Sequence, residues 1–169
     1  MIHHIFISAG HNSTTSALGN ALLYLAQNPI AQERLRGDPA LIPAAVEEIL
    51  RWETPVQEMP RWAVREIEIG GRTIGAGERL ALFWASANRD EAAFPNADEC
   101  VLDRKPNRHV AFGQGIHTCL GAPMARMELR VALEEILART RAFAPAGEPM
   151  RARFHRMGVT ALPARLAAR

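Results

Sequence analysis

Lysine is almost missing from this chain: Lys105 stands alone among 20 basic residues, which face 18 acidic ones for a net charge of +2. Because acids are interspersed among the arginines, there is no stripe of one sign, and a nucleic-acid surface is not expected. Cysteine is nearly as scarce. Cys100 and Cys119 lie too far apart for a CxxC redox motif and have no partner ligands at zinc spacing. Each needs its own explanation, the plainest being a buried reduced thiol. Long apolar runs are absent too. The run 80-LALFWASA-87 falls well short of the roughly 20 residues that span a bilayer. Met1-Ile2-His3-His4 also lacks the basic-then-apolar pattern of a secretion signal. No membrane association is expected, and a cytoplasmic protein is. What remains, 169 residues of which 48% are hydrophobic and 22% charged, is the composition of one globular domain with a moderate core.

From Phe6 to Ala26 the chain reads as one helix, interrupted by the polar patch 10-GHNSTTS-16, with Leu18, Ala21, Leu22 and Leu25 at helical spacing. Asn28 is placed to cap, and Pro29 to open, a short helix through 30-IAQERLR-36 that Gly37 closes. After Asp38-Pro39 a third helix runs to about Trp52 with Ile42, Val46, Ile49 and Leu50 as its apolar stripe. Then the texture changes. Alternation at Trp62, Val64, Ile67 and Ile69 around Gly70-Gly71, followed by Thr73-Ile74 and 79-RLALF-83, predicts short antiparallel strands. Residues 88–117 have no sustained period, and so long an irregular segment is usually functional. Helix returns over residues 119–141, with Leu120, Met124, Met127, Val131 and Leu137 expected on one side. The tail from Pro145, containing Gly158 and Pro163, suits a terminal hairpin.

The segment 112-FGQGIHTCLGAPMAR-126 carries the most chemistry, because Gly113, Gly115 and Gly121 surround Cys119 where a loop turns into a helix. Helix N-terminal amides and the helix dipole stabilise a thiolate. Glycines let a backbone approach a flat macrocycle without Cβ clashes, and a thiolate ligand pushes electron density onto haem iron, favouring O–O cleavage. A buried cysteine beside a glycine turn would suffice for a shorter match. Phe112, Gly113, Gly115, His117, Cys119 and Gly121 all falling in one frame argue against it.

That frame resembles the haem-binding loop F-G-x-G-x-H-x-C-x-G of the cytochrome P-450 family, in particular its soluble bacterial members. The resemblance implies a mainly α fold with small antiparallel β-sheets. Residues 1–169 would form a single unit, the C-terminal haem-binding part of that fold, with the N-terminal helices absent. It implies haem b (iron protoporphyrin IX) as cofactor and Cys119 as the iron ligand. Phe112, Gly113, Gly115 and Gly121 would line the haem, and His117 and Arg61 would contact its propionates, as two carboxylates require.

Two further motifs follow in the family's order. Glu48 and Arg51 in 47-EEILR-51 share a helical face. Taken alone they would be a surface pair worth about 0 to 1 kcal/mol, but the resemblance implies a buried structural ion pair completed by a third basic residue. Glu99 and Cys100 stand where the family has Arg and Phe, which leaves Arg89 or Arg104 to complete it. Upstream, 9-AGHNST-14 resembles A-G-x-[DE]-T-T on the helix crossing the distal haem face. There Gly10 would open room for dioxygen, Asn12 takes the place of the acid and Ser13 that of the first threonine. An amide cannot shuttle protons as a general acid does. Oxygen activation is therefore expected to be slower, peroxide-driven, or dependent on water or on His11. A helix merely kinked by small polar residues is the plainer alternative.

The resemblance implies a haem-thiolate monooxygenase portion that inserts one oxygen atom from O2 into a small lipophilic substrate. Pro55, Val56 and Gln57, with Met157 to Val159, would be the substrate contacts. Electrons would come from a ferredoxin-type donor, docked on a basic face of Arg126 and Arg130 near Arg104, Lys105 and Arg108. A solvated face explains those arginines as well. Two other classes stay open: a non-catalytic haem-binding module, and a haem-free remnant that self-associates or joins a separate N-terminal piece, because a cut core leaves apolar surface exposed.

Overall fold

The computed structural model describes residues 2–152 and 157–169. Its first helix, α1 (Ile2–Gln27), runs unbroken through the polar patch that was expected to interrupt it. The hydroxyls there bond back onto their own helix: Ser13 Oγ donates to the Ala9 carbonyl at 2.6 Å and Thr15 Oγ1 to the His11 carbonyl at 2.7 Å. Side chains satisfied in this way need not break the ladder. Asn28 stands at the N-cap of the next helix, α2 (Pro29–Gly37), but its side chain makes no capping bond there; its Nδ2 turns back and donates to the Tyr24 carbonyl at 2.7 Å, closing α1 instead. One 3-10 turn over Pro39–Leu41, opened by the Asp38 carboxylate, leads into α3 (Ile42–Trp52). The expected stripe of α3, Ile42, Val46, Ile49 and Leu50, is buried.

Four strands follow: β1 (Met59–Trp62), β2 (Ile67–Ile69), β3 (Arg72–Ile74) and β4 (Arg79–Leu82), with β1 antiparallel to β4 and β2 to β3. Gly70 and Gly71, at φ +57° and +76°, make the tight turn between β2 and β3 that only glycine adopts without strain. A single helical turn, α4 (Trp84–Ala87), precedes the irregular segment, which holds only a 3-10 turn at Gly115–His117 before α5 (Ala122–Arg139). The terminal hairpin is nested. Its outer ladder joins β5 (Thr140–Pro145) to β8 (Ala164–Ala168), and its inner one joins β6 (Met150–Arg151) to β7 (Val159–Ala161).

The core gathers α1, α2, α3 and α5 around Leu25, Leu35, Ile42, Ala45 and Leu133. Here α5 departs from expectation. Its inward residues are Leu129, Leu133 and Leu137, whereas Leu120, Met124, Met127 and Val131 are exposed. At about 100° per residue the two sets lie on opposite sides, so Leu137 does not belong with the methionines: the helix is apolar on two faces and buries one. A buried polar clasp ties the packing together. Gln32 Nε2 donates to the carbonyls of Leu25 and Phe143, both at 2.7 Å, while its Oε1 accepts from the Phe143 amide at 3.2 Å. Just past the middle of α1 the hairpin comes unusually close. A Cβ on Gly19 would sit 2.8 Å from the Val159 carbonyl oxygen, and one on Gly158 would overlap the Ser16 side chain.

Candidate functional site

Cys119 sits at the end of the irregular segment, three residues before α5 begins. Its amide donates to the Phe112 carbonyl at 2.8 Å, and its own carbonyl accepts from Ala122 at 3.2 Å, the first residue of the helix. Within the loop that this bond closes, Gly113 donates to the Val110 carbonyl at 2.9 Å, and Thr118 Oγ1 donates to the Gly115 carbonyl at 2.8 Å. Gly113 and Gly115 stand at φ +70° and +69°, so both glycines are required by the backbone path. The Cys119 side chain is exposed. The other cysteine differs: burial pushes the Cys100 thiol up to about 12, and it lies against Tyr24. Of the two thiols, only Cys119 is open to a ligand.

The surroundings of Cys119 suit haem. The donor is a soft thiol just ahead of a helix N-terminus, the glycine backbone offers a surface with few Cβ atoms, and Ile116 (97% exposed) and Leu120 (83%) leave apolar surface beside it. A cleft of about 420 Å³ lies between α1 and α5, lined by Gly10, His11, Thr14, Thr15 and Leu18 on one side and Met124, Glu128 and Leu129 on the other. Gly10 is therefore brought opposite the helix that follows Cys119. Asn12 and Ser13 are not in that lining, and the Ser13 hydroxyl is occupied by the Ala9 carbonyl. His117 lies exposed in the loop's 3-10 turn. Arg61 lies on β1, where its Nη1 donates to the Pro60 carbonyl at 2.8 Å.

Glu48 and Arg51 are paired by two bonds of 2.8 Å, and both side chains are fully buried, so this is no surface pair. The third partner is Arg104, whose Nε reaches both Glu48 oxygens at 2.9 and 3.1 Å. Arg89 turns instead to the Trp52 carbonyl and to Asp98. Arg51 also donates to the carbonyls of Asn88, Ala97 and Glu99 at 2.7 to 2.8 Å, while Glu48 accepts from the Val101 amide and from Asn107. Asn88 extends the network to the Cys119 loop: its Oδ1 accepts from the Val110 amide at 2.7 Å. The pair thus organises a segment that has no regular structure of its own.

A second network was not anticipated. Glu47 takes a bidentate pair of bonds from Arg126, at 2.7 and 2.8 Å, and a third contact from His109 Nε2 at 3.1 Å. Arg126 was expected on a docking face but is committed here, Arg104 is buried beside Glu48, and Arg130 faces Glu134 at 3.4 Å. The basic face is correspondingly thinner. The only sequence signals for this network were the first glutamate of 47-EEILR-51 and a histidine three residues before Phe112, and neither is distinctive alone.

Both glutamates respond to acid in the same sense. Burial would raise the Glu47 carboxyl, but bonds from His109 and Arg126 overcome it and hold the group at about 2. Glu48 is likewise opposed by burial and held down by Arg51, the Val101 amide and Arg104. The unfolded chain protonates such groups near pH 4.3. Both therefore contribute stability above that pH, and the contribution is lost as pH falls through the folded values. Thermal melts are expected to show a midpoint that is flat above about pH 5 and drops from about pH 4.3 towards 2. A midpoint that rises on acidification would contradict this.

The two segments expected to face a substrate are joined: the Met157 amide donates to the Pro55 carbonyl at 3.0 Å, and Asn20 Nδ2 on α1 donates to the carbonyls of Glu53 and Met157, each at 3.2 Å. Among the described residues no helix is long and apolar enough to cross a membrane.

Comparison with known proteins agrees with this geometry. The cytochrome P-450 family model matches residues 40–167. Mycinamicin IV hydroxylase/epoxidase of Micromonospora griseorubida is 46% identical over 134 residues, covering 78% of this chain and 34% of that protein. The 20-oxo-5-O-mycaminosyltylactone 23-monooxygenase of Streptomyces fradiae is 44% identical, covering 83% of this chain and 34% of that one. The crystal structure of CYP108D1 from Novosphingobium aromaticivorans superposes with a TM-score of 0.93 at 42% identity, covering 98% of this chain and 40% of that one. The chain spans about a third of the length of these curated relatives. Matched by the family model over residues 40–167, by relatives 44 to 46% identical and by a solved structure of the same fold, the chain belongs to the cytochrome P-450 family.

Proposed function

We propose that the chain provides the haem-thiolate portion of a monooxygenase, with the Cys119 thiolate as the iron ligand and haem b as the cofactor. One observation carries this reading: the exposed thiol of Cys119, in a loop closed by its own amide on Phe112 and shaped by Gly113 and Gly115, just ahead of α5. Bound there, haem supplies activation of O2 and transfer of one oxygen atom to a small lipophilic substrate. Phe112, Gly113, Gly115 and Gly121 form the wall around the thiolate. His117 and Arg61 would hold the haem propionates. The space beside Gly10 is open, as a Cβ there would meet nothing within 4 Å, and it would admit dioxygen. Ser13 offers its hydroxyl oxygen to water while donating to Ala9. Asn12 holds solvent without titrating, so proton delivery rests on water or on exposed His11. The joined segments at Pro55 to Gln57 and Met157 to Val159 orient the substrate beside α1. Electrons come from a ferredoxin-type donor, met by the exposed basic residues Lys105 and Arg108.

The same Asn12 favours a second reading, a haem-binding module that does not turn over. The ultraviolet-visible spectrum of the reduced chain under carbon monoxide tests the common core of both. A strongly red-shifted Soret band is expected. A histidine-like band would refute ligation by Cys119, and the absence of any Soret band would leave a haem-free chain. Product formed on supplying electrons then separates the monooxygenase from the module.

A further inference from the structure

We propose that Glu47 is a positioning residue for the Cys119 loop, acting through Arg126 and His109 as a network separate from that of Glu48. Its relevance to catalysis rests on the haem-thiolate reading, but its test does not require haem.

The geometry begins with two adjacent carboxylates on α3 that reach different parts of the chain. Glu48 grips Val101, Arg104 and Asn107. Glu47 grips what comes after: His109 at the neck of the loop and Arg126 on the helix beyond Cys119. The histidine's role is defined by its second nitrogen. Nδ1 of His109 accepts from the Ala111 amide at 3.2 Å, so Nε2 carries the proton and donates to Glu47. With its side chain only 2% exposed, the ring has both nitrogens committed and little room to turn.

Arg126 closes the other side. While paired with Glu47, its guanidinium lies 4.5 Å from the centre of the Phe112 ring, and the His109 ring lies 6.1 Å from the same ring. Phe112 is the residue whose carbonyl accepts the Cys119 amide. The chain of contacts is therefore short: Glu47 fixes His109 and Arg126, these two hold the backbone and ring of residues 109–112, and Phe112 holds Cys119. A planar, bidentate guanidinium is needed to pair with Glu47 and cover Phe112 at once, and a lysine cannot do both. The Glu48 network braces this loop only through Asn88 and Val110, so it does not duplicate the role.

The test is amide hydrogen exchange, followed residue by residue by NMR on the whole chain, in the parent and in Glu47→Gln and Arg126→Lys. Loosening confined to the loop should speed exchange of the Cys119 amide by about tenfold or more while leaving the Leu133 amide in the core of α5 unchanged. A general structural role would speed both alike, and that result would overturn the proposal. So would a Cys119 amide that is already unprotected in the parent, or an Arg126→Lys chain indistinguishable from it. A haem arm keeps the two readings apart. In the haem-loaded chain both variants should lose part of the red-shifted carbon monoxide band. If the parent itself never shows that band, the haem-thiolate reading fails and the exchange result alone judges the positioning role.

Discussion

A Cys119→Ser chain, reduced and exposed to carbon monoxide, is expected to lose the strongly red-shifted Soret band altogether while keeping its far-ultraviolet helix signal. The first half follows from ligand chemistry. A serine hydroxyl does not deliver the electron density of a thiolate, and that push is what marks thiolate-ligated haem. The second half follows from the structure. The Cys119 side chain is exposed, and the bonds that hold the residue in place, to the Phe112 carbonyl and from Ala122, are made by its backbone and survive the substitution. Exposed substitutions of this kind usually change stability by no more than about 0.5 kcal/mol. A Cys100→Ser chain is the matched control: its thiol is pushed up by burial and is not the proposed ligand, so its band should match the parent's. A red-shifted band persisting in Cys119→Ser would remove Cys119 from the iron.

The largest loss of stability is expected from Glu48→Ala. Removing one partner of a fully buried pair leaves the other charge uncompensated and costs about 3 to 5 kcal/mol, a large share of the roughly 5 to 15 kcal/mol that holds a typical domain together. Here the remaining charges would be two, Arg51 and Arg104, since both guanidiniums converge on the same carboxylate. Urea unfolding should show a sharply lowered midpoint. Converting the pair to two leucines, often neutral elsewhere, should not restore it. Arg51 also satisfies the carbonyls of Asn88, Ala97 and Glu99, and a leucine would leave all three without their donor. A Glu48→Ala chain losing less than about 1 kcal/mol would show that the irregular segment is held by something else.

How much of this could be read from residue order depends on the range over which each signal acts. The helices and the Gly70-Gly71 turn were legible because period and turn chemistry are local. Glu48 and Arg51 were legible as partners because they are three residues apart, but which arginine would join them was not. Arg89 and Arg104 are equally plausible in one dimension, and the choice is made by a fold that gives Arg89 the Trp52 carbonyl and Asp98 instead. Helix α5 misled because it carries two apolar faces, and periodicity alone does not say which one meets the core. Gln32 and Glu47 gave no distinctive signal. Each acts through bonds to residues far along the chain, Phe143 in one case and His109 with Arg126 in the other. The distal residues stand between these cases: Gly10 falls in a cleft opposite α5, while Asn12 and Ser13 lie outside its lining.

The tight seam where the terminal hairpin meets α1 has a consequence for how this sequence can drift. Ser16 and Gly158 occupy what amounts to one side chain's worth of space, and Gly19 and Val159 repeat the arrangement one helical turn along. Bulk cannot be gained at residue 158 even if it is surrendered at residue 16, because a Cβ there would stand 2.8 Å from the Ser16 Cα, a backbone atom that no substitution removes, so residue 158 stays glycine for as long as the hairpin packs on α1.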